Sequence, residues 1–322
     1  MRAPLQVTRR GLFGRILQAF AAARIASSLA LAASFESDGA SARSSAAAGK
    51  ANFRRYRVQA AVNLFGVPVF WKDGVGAAGL LVEEAATGVL SSTAVQFVSG
   101  SWPERIKGFN RFGMTQEIVH EENGVVRESG YLSFMTSSPE KNSDQAWRAF
   151  TDRPRNLTLA VSCGLASGSG YRWALERQAV PAESTWMDCP SLMEKFRLRN
   201  VALEDGGLSS AREQVYPTFL ISVRKAALRR ADGRCAFIHN AKLYDLHTRF
   251  SEAGGVVLLI GRIAEQGSSN DSEFRVWFDS SDPSGLPNKI EFRPKSFLHL
   301  TFHQDSAAGG PSVRRLVVPE EA

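Results

Sequence analysis

Between Tyr56 and Leu64 every second residue is apolar. Tyr56, Val58, Ala60, Val62 and Leu64 fall on one side, and Arg55, Arg57, Gln59 and Asn63 fall on the other. Successive side chains of a strand point to opposite faces, whereas apolar positions on a helix recur every three or four residues, so this rhythm specifies a half-buried strand. After an interruption from Gly66 to Pro68, Val69-Phe70-Trp71 runs to Asp73-Gly74 and then to Leu80-Leu81-Val82. Asp-Gly suits the positive φ angles of a tight turn, which predicts a hairpin there. A second hairpin is predicted at Asn123-Gly124, with Glu117-Ile118-Val119-His120 facing Val125-Val126-Arg127-Glu128.

Further strands are expected at 94–98, 130–135, 157–163, 171–176, 196–203, 215–224, 235–250, 256–263, 274–278, 289–292 and 297–302. Most are separated by Gly-, Asp- and Ser-rich turns such as Asp205-Gly206-Gly207, Asp232-Gly233 and Gly254-Gly255. Strands at this spacing with few helices between them imply a mainly β fold: a large antiparallel sheet curled into an open barrel or a sandwich, with one or two short helices. One helix is expected after the N-cap Ser138, with Pro139 and Glu140 in its first turn and Ala146, Trp147 and Phe150 on its apolar face. A shorter one is expected over 191–195. Hydrophobic content of 44% and charged content of 22% are those of a globular chain. A single β-rich domain is assigned to 54–304 and a C-terminal tail to 305–322.

The formal charge of +7 points at first to a polyanionic partner. Its distribution points elsewhere. Arg2, Arg9, Arg10, Arg15 and Arg24 all precede the first acidic residue, Glu36, so seven minus five leaves +2 for the remainder. No nucleic-acid partner is expected. Thr8-Arg9-Arg10-Gly11-Leu12-Phe13, an apolar alanine-rich stretch and the small-residue pair Ala30 and Ala32 make residues 1–32 an export signal of twin-arginine type, addressed to an export receptor. An organelle transit peptide is the other reading of this acid-free start. The Ser-, Ala- and Gly-rich segment 33–53 reads as a flexible tether. Later apolar runs are too short for a transmembrane helix, so the mature chain is expected in the periplasm or secreted.

Residues that carry chemistry are sparse. His299 and His303 lie four apart in an alternating segment, which sets them about 13 Å apart on one strand face and unable to share an ion; no metal and no cofactor is expected. Cys163, Cys189 and Cys235 lack paired metal-ligand spacing, and two of them are candidates for one disulfide. Ser99-Gly100-Ser101 and Ser167-Gly168-Ser169-Gly170 read as turns and not as nucleophile elbows. Acids such as Glu83, Glu117, Glu121 and Glu176 would serve a hydrolase only if the fold paired two of them in a cleft.

The segment from Ser101 to Gly113 interleaves aromatic and basic residues between two strands. With Trp71 it provides the candidate ligand-binding set: Trp71, Trp102, Arg105, Lys107, Phe109, Arg111 and Phe112. Their aromatic faces and cations suit an amphipathic or anionic small molecule. Near the C-terminus, Phe274-Arg275-Val276-Trp277-Phe278, then Gly285-Leu286-Pro287, then Ile290-Glu291-Phe292 form a pattern that resembles uncharacterised exported bacterial proteins with an open β-barrel like that of lipoprotein carriers. The resemblance covers about the last 50 residues. It implies a half-barrel around an apolar cavity and carries no binding residues over. The leading expectation is a non-enzymatic periplasmic or envelope-associated protein that binds an amphipathic or lipid-like molecule. The alternatives are a secreted hydrolase of envelope sugars or esters, and a structural partner of an envelope complex.

Overall fold

The alternation that begins at Tyr56 is built into strand β1 (Lys50–Leu64). The chain continues through β2 (Val67–Thr87), β3 (Leu90–Ser101), β4 (Phe112–Glu122), β5 (Val125–Thr136), β6 (Thr158–Ser167), β7 (Gly170–Ala179) and β8 (Arg199–Val201). Helix α1 (Phe219–Arg229) follows, then β9 (Gly233–His239), β10 (Lys242–Ala253), β11 (Val256–Glu265), β12 (Asp271–Asp279), β13 (Lys289–Lys295) and β14 (Leu298–Gln304). The structure is a computed structural model and describes residues 50–64, 67–101, 112–136, 158–168, 170–179, 199–201, 215–240, 242–267, 271–295 and 298–305.

All fourteen strands join one antiparallel sheet in the order β8-β7-β6-β5-β4-β3-β2-β1-β14-β13-β12-β11-β10-β9. The first and last strands pair in its middle, and the ladder does not close between its edges β8 and β9. The sheet nevertheless curls. Tyr131 on β5 donates a hydrogen bond to Oδ1 of Asn240, in the β9–β10 turn, at 2.9 Å, and its hydroxyl oxygen accepts one from the Asn240 N–H at 3.0 Å. Strands ten places apart in the ladder therefore touch. Ala166 and Tyr171 pack on Ile238 and Leu243 across the same seam.

Helix α1 fills the inner side of this curl. Its buried residues are Ile221, Ser222, Val223 and Ala226. Ile221 joins Tyr56, Val58, Val82, Val95 and Phe302 in one core, while Val223 and Ala226 join Phe237, Leu246, Leu259, Phe274 and Val276 in another. Burying such side chains stabilises a fold by about 1.5–3 kcal/mol each, so the helix links the two cores into one interior.

The two faces differ by region. On β1 and β10 to β14 the outer face is charged and paired: Arg57 to Asp73 at 3.2 Å, Lys289 to Glu291 at 2.6 Å, Arg275 to Glu273 at 3.0 Å and Arg234 to Asp245 at 2.8 Å. A barrel that spans a bilayer needs the reverse, an apolar outer band. No helix among the described residues is long and apolar enough to cross a membrane. On β3 to β6 the outward Val98, Met114, Leu132, Cys163 and Leu165 are also buried, so this half of the sheet is covered on both faces.

Four sequence expectations are corrected. Ser99-Gly100-Ser101 is the end of strand β3, paired with Ala78, Ala77 and Gly76, and not a turn. Asp73-Gly74 is a bulge inside the continuous β2 and not a hairpin. Pairing jumps from Val58↔Gly76 to Ala60↔Lys72, Gly74 has φ 63°, and its N–H bonds Asp73 Oδ1 at 2.9 Å, so the turn chemistry is satisfied without reversing the chain. The strand expected over 215–224 is instead extended chain to Thr218 followed by α1; Lys225, Ala226, Ala227, Leu228 and Arg229 favour a helix, and a partner from another strand caps it. The strand expected over 235–250 is a hairpin broken at Asn240, which has φ 48°. The Asn123-Gly124 hairpin forms as read, with both φ values positive. The expected helices after Ser138 and over 191–195 lie outside the described residues.

Candidate functional site

On β4 the inward positions are Thr115, Glu117 and Val119, in register with Ser133, Tyr131 and Ser129 of β5. Glu117 is thus an acid in a core phase, and it is only 1% exposed. The first turn of α1 accounts for it. Leu220 N–H donates to its Oε1 at 2.9 Å, Ile221 N–H donates to Oε2 at 2.8 Å, and the Thr218 hydroxyl also donates to Oε2. A helix leaves its first N–H groups without internal partners and carries a partial positive charge at that end, so a carboxylate from the opposite wall serves as its cap. Burial nevertheless raises the Glu117 carboxyl to about 8, outweighing the Thr218 hydroxyl and the helix N–H groups that favour the charged form.

From Glu117 the helix runs along β4 toward the tight-turn end of the sheet. Lys225 pairs with Glu121, Arg224 with Glu84 at 2.9 Å, and Arg224 Nη1 donates to the Gly285 carbonyl at 3.0 Å. In the other direction, beyond the helix N-terminus, the inner wall of β3 to β6 is made of small and hydroxyl-bearing residues: Ser99, Gly113, Thr115, Ser133 and Ser162. Thr115 and Ser133 hydroxyls lie 3.3 Å apart, and Ser162 donates to Asn240. Beside this wall stand Phe97 and Phe302, edge to face at 5.5 Å. Phe97 is in register with Thr115, so hydroxyls and aromatic rings lie side by side on the inner face, a combination suited to a molecule with polar and apolar parts.

Topology decides which connections surround this half. The segments 65–66, 102–111, 137–157 and 180–198 all join strand ends at the end of the sheet away from the α1 C-terminus. Trp71 stands at the same end, on the outer face of β2 and 63% exposed. Phe112 begins β4, paired with Gly100. Trp102, Arg105, Lys107, Phe109 and Arg111 lie outside the described residues. The structure therefore brings Trp71 and the flanks of the aromatic-basic segment to one end and sets Trp71 on the outside of the curl.

Glu117, Tyr131, Ser162 and Asn240 went unnoticed as a group in the sequence. One signal existed: Glu117 falls in phase with Val119, where an acid is out of place on a buried face. Among the other acids named from sequence, Glu121 pairs with Lys225 on the same face as Glu117, about 13 Å away along the strand, and Glu83 is exposed on the outer face. His299 and His303 share the outer face of β14, Asn63 Nδ2 lies 3.4 Å from His299 Nε2, and burial lowers both imidazoles below the usual range. Cys163 and Cys235 are not joined to one another. Cys189 lies outside the described residues.

No protein-family model matches the sequence, and no curated protein matches it. Among solved structures the chain is similar to a β-barrel-like protein of domain of unknown function DUF1849 from Brucella abortus, at 7% identity and a TM-score of 0.43, over 79% of this chain and 95% of that one. A β sliding clamp from C. crescentus matches at 10% identity and a TM-score of 0.11, over 74% of this chain and 60% of that chain. The fold described above rests on the strand pairing itself.

Proposed function

We propose that this is an exported, envelope-associated protein that holds an amphipathic, lipid-like molecule against the hydroxyl and aromatic side chains on the inner face of its curled sheet. The observation that carries this reading is the unequal make-up of the inner face. Helix α1 and large apolar side chains occupy one part, with Phe97 and Phe302 at its margin, while beyond the helix N-terminus the sheet presents Ser99, Gly113, Thr115 and Ser133. Small hydroxyl-bearing side chains beside aromatic rings are the lining that an amphipathic molecule would meet, and Thr115 and Ser133 are buried away from bulk water. The charged, paired outer face of β1 and β10 to β14 suits contact with water, as a carrier requires. The arginine pair and apolar leader of residues 1–32 support delivery out of the cytoplasm. The acids a hydrolase would need do not favour that alternative, since Glu117 and Glu121 are each engaged by α1.

Native mass spectrometry of protein purified gently from its own envelope fraction tests this reading. The expected spectrum carries a noncovalent adduct that organic solvent extracts and that ionises as a lipid. Ligand-free protein alone, from a preparation whose N-terminus shows the leader removed, would overturn it.

A further inference from the structure

The outer face of the sheet carries a second feature, independent of the inner wall. Ala61 on β1 pairs with Trp71 on one side and with His299 on the other, which puts the three residues in one outward row. Each step across an antiparallel ladder is about 5 Å, so the indole and the imidazole stand about 10 Å apart with only a methyl group between them. The Trp71 side chain is 63% exposed. The polar groups in the row and next to it are uncharged: Asn63 lies 3.4 Å from His299 through its amide nitrogen, and Gln59 and Thr301 pair in the next outward row. Burial and the nearby Arg293 lower the His299 imidazole, which keeps it neutral near pH 7. The neighbouring charges Arg57 and Asp73, and Lys289 and Glu291, neutralise one another.

We propose that this row is a saccharide-binding platform, in which one pyranose ring stacks on Trp71 and its hydroxyl edge lies over Ala61 to meet Asn63 and His299. A pyranose has an apolar C–H face and an equatorial rim of hydroxyls, and an open indole next to amide and imidazole groups complements both. The small Ala61 matters because a larger side chain there would lift the sugar off the row. Apart from Arg293, whose charge reaches His299, the neighbouring charges are paired, and such a surface suits a hydroxyl-rich ligand better than a polyanion, which needs a cluster of unpaired cations.

Isothermal titration and amide chemical-shift mapping with chitotetraose, cellotetraose, maltotetraose and soluble peptidoglycan glycan strands test the platform. At least one of these is expected to bind in the millimolar range or tighter and to shift Ala61 and Thr301. Trp71→Ala is expected to weaken that binding about tenfold or more and Asn63→Ala by a smaller factor, with Trp277→Ala on the same face as the control that leaves it unchanged. Trp71 is exposed, so its removal leaves the core intact. Failure of all four glycans to bind the wild-type protein, or equal binding by Trp71→Ala, would overturn the proposal.

Discussion

The main-chain N–H of Ile221 donates to Oε2 of Glu117 at 2.8 Å, across 104 residues of sequence, and this contact sets the first turn of α1 against the middle of β4. Thr218 and Leu220 converge on the same carboxyl. Glu117→Ala strands three donors at once, the Thr218 hydroxyl and Ile221 N–H buried and the Leu220 N–H part-buried. A buried donor without an acceptor costs about 1–3 kcal/mol, and relaxation shares part of the loss, so urea unfolding should show a deficit of about 2–4 kcal/mol. Amide exchange should rise first at Leu220 and Ile221.

The same carboxyl makes stability depend on pH. Its folded value of about 8 lies above the ordinary 4.5. Below about pH 4.5 both the folded and the unfolded chain hold the proton, and between the two values only the folded chain does. The stability present below 4.5 is therefore lost progressively as pH rises toward 8, with a slope of at most about 1.4 kcal/mol per pH unit from this group. Denaturation midpoints taken from pH 5 to pH 8 should fall in the wild type and fall less in Glu117→Gln.

The seam of the curl depends on one side chain in a strained position. Asn240 has φ 48°, and its Oδ1 accepts from Tyr131 and Ser162. Asn240→Ala removes the acceptor and leaves a residue ill suited to that φ, for a combined loss of about 2–3 kcal/mol. Tyr131→Phe should cost about 1 kcal/mol and expose the β9–β10 hairpin to exchange without unfolding β1 to β4.

Gly261 is required by a neighbour. Phe274 pairs with it directly, and a Cβ at 261 would sit 1.9 Å from Phe274 Cζ. Gly261→Ala should destabilise by about 1–3 kcal/mol through overpacking. Adding Phe274→Leu should return part of that loss, which thermal melts of the single and double variants would read.

Much of this architecture was legible in the alternation of β1, β4, β5, β11 and β12, because one buried face fixes the register of each strand. Asn123-Gly124 and Gly254-Gly255 likewise needed only local backbone chemistry. The errors share one cause. At Asp73-Gly74, at 215–224 and at Asn240 the local signal was compatible with two outcomes, and long-range partners decided between them: Arg57 and the β1 ladder at the bulge, Glu117 at the helix, Tyr131 and Ser162 at the turn. The inner site was hidden for the same reason. Thr115, Ser133 and Ser162 are unremarkable strand residues one at a time, Ser99 reads locally as part of a Gly/Ser turn, and only the pairing of β3 to β6 gathers them on one wall. Trp71, by contrast, stood out in the sequence and is exposed in the fold.

Fluorescence titration with N-phenyl-1-naphthylamine on the delipidated wild type and on Ser99→Phe reads whether the hydroxyl-lined half of the inner face holds a ligand. Ser99 is half-buried at the loop end of the inner wall, where a phenyl ring would take the ligand's place while the strand pairing is kept. Saturable enhancement in the wild type, lost in a Ser99→Phe protein of unchanged circular dichroism, is the predicted result. No enhancement in the wild type, or the same titration curve in both proteins, would contradict it.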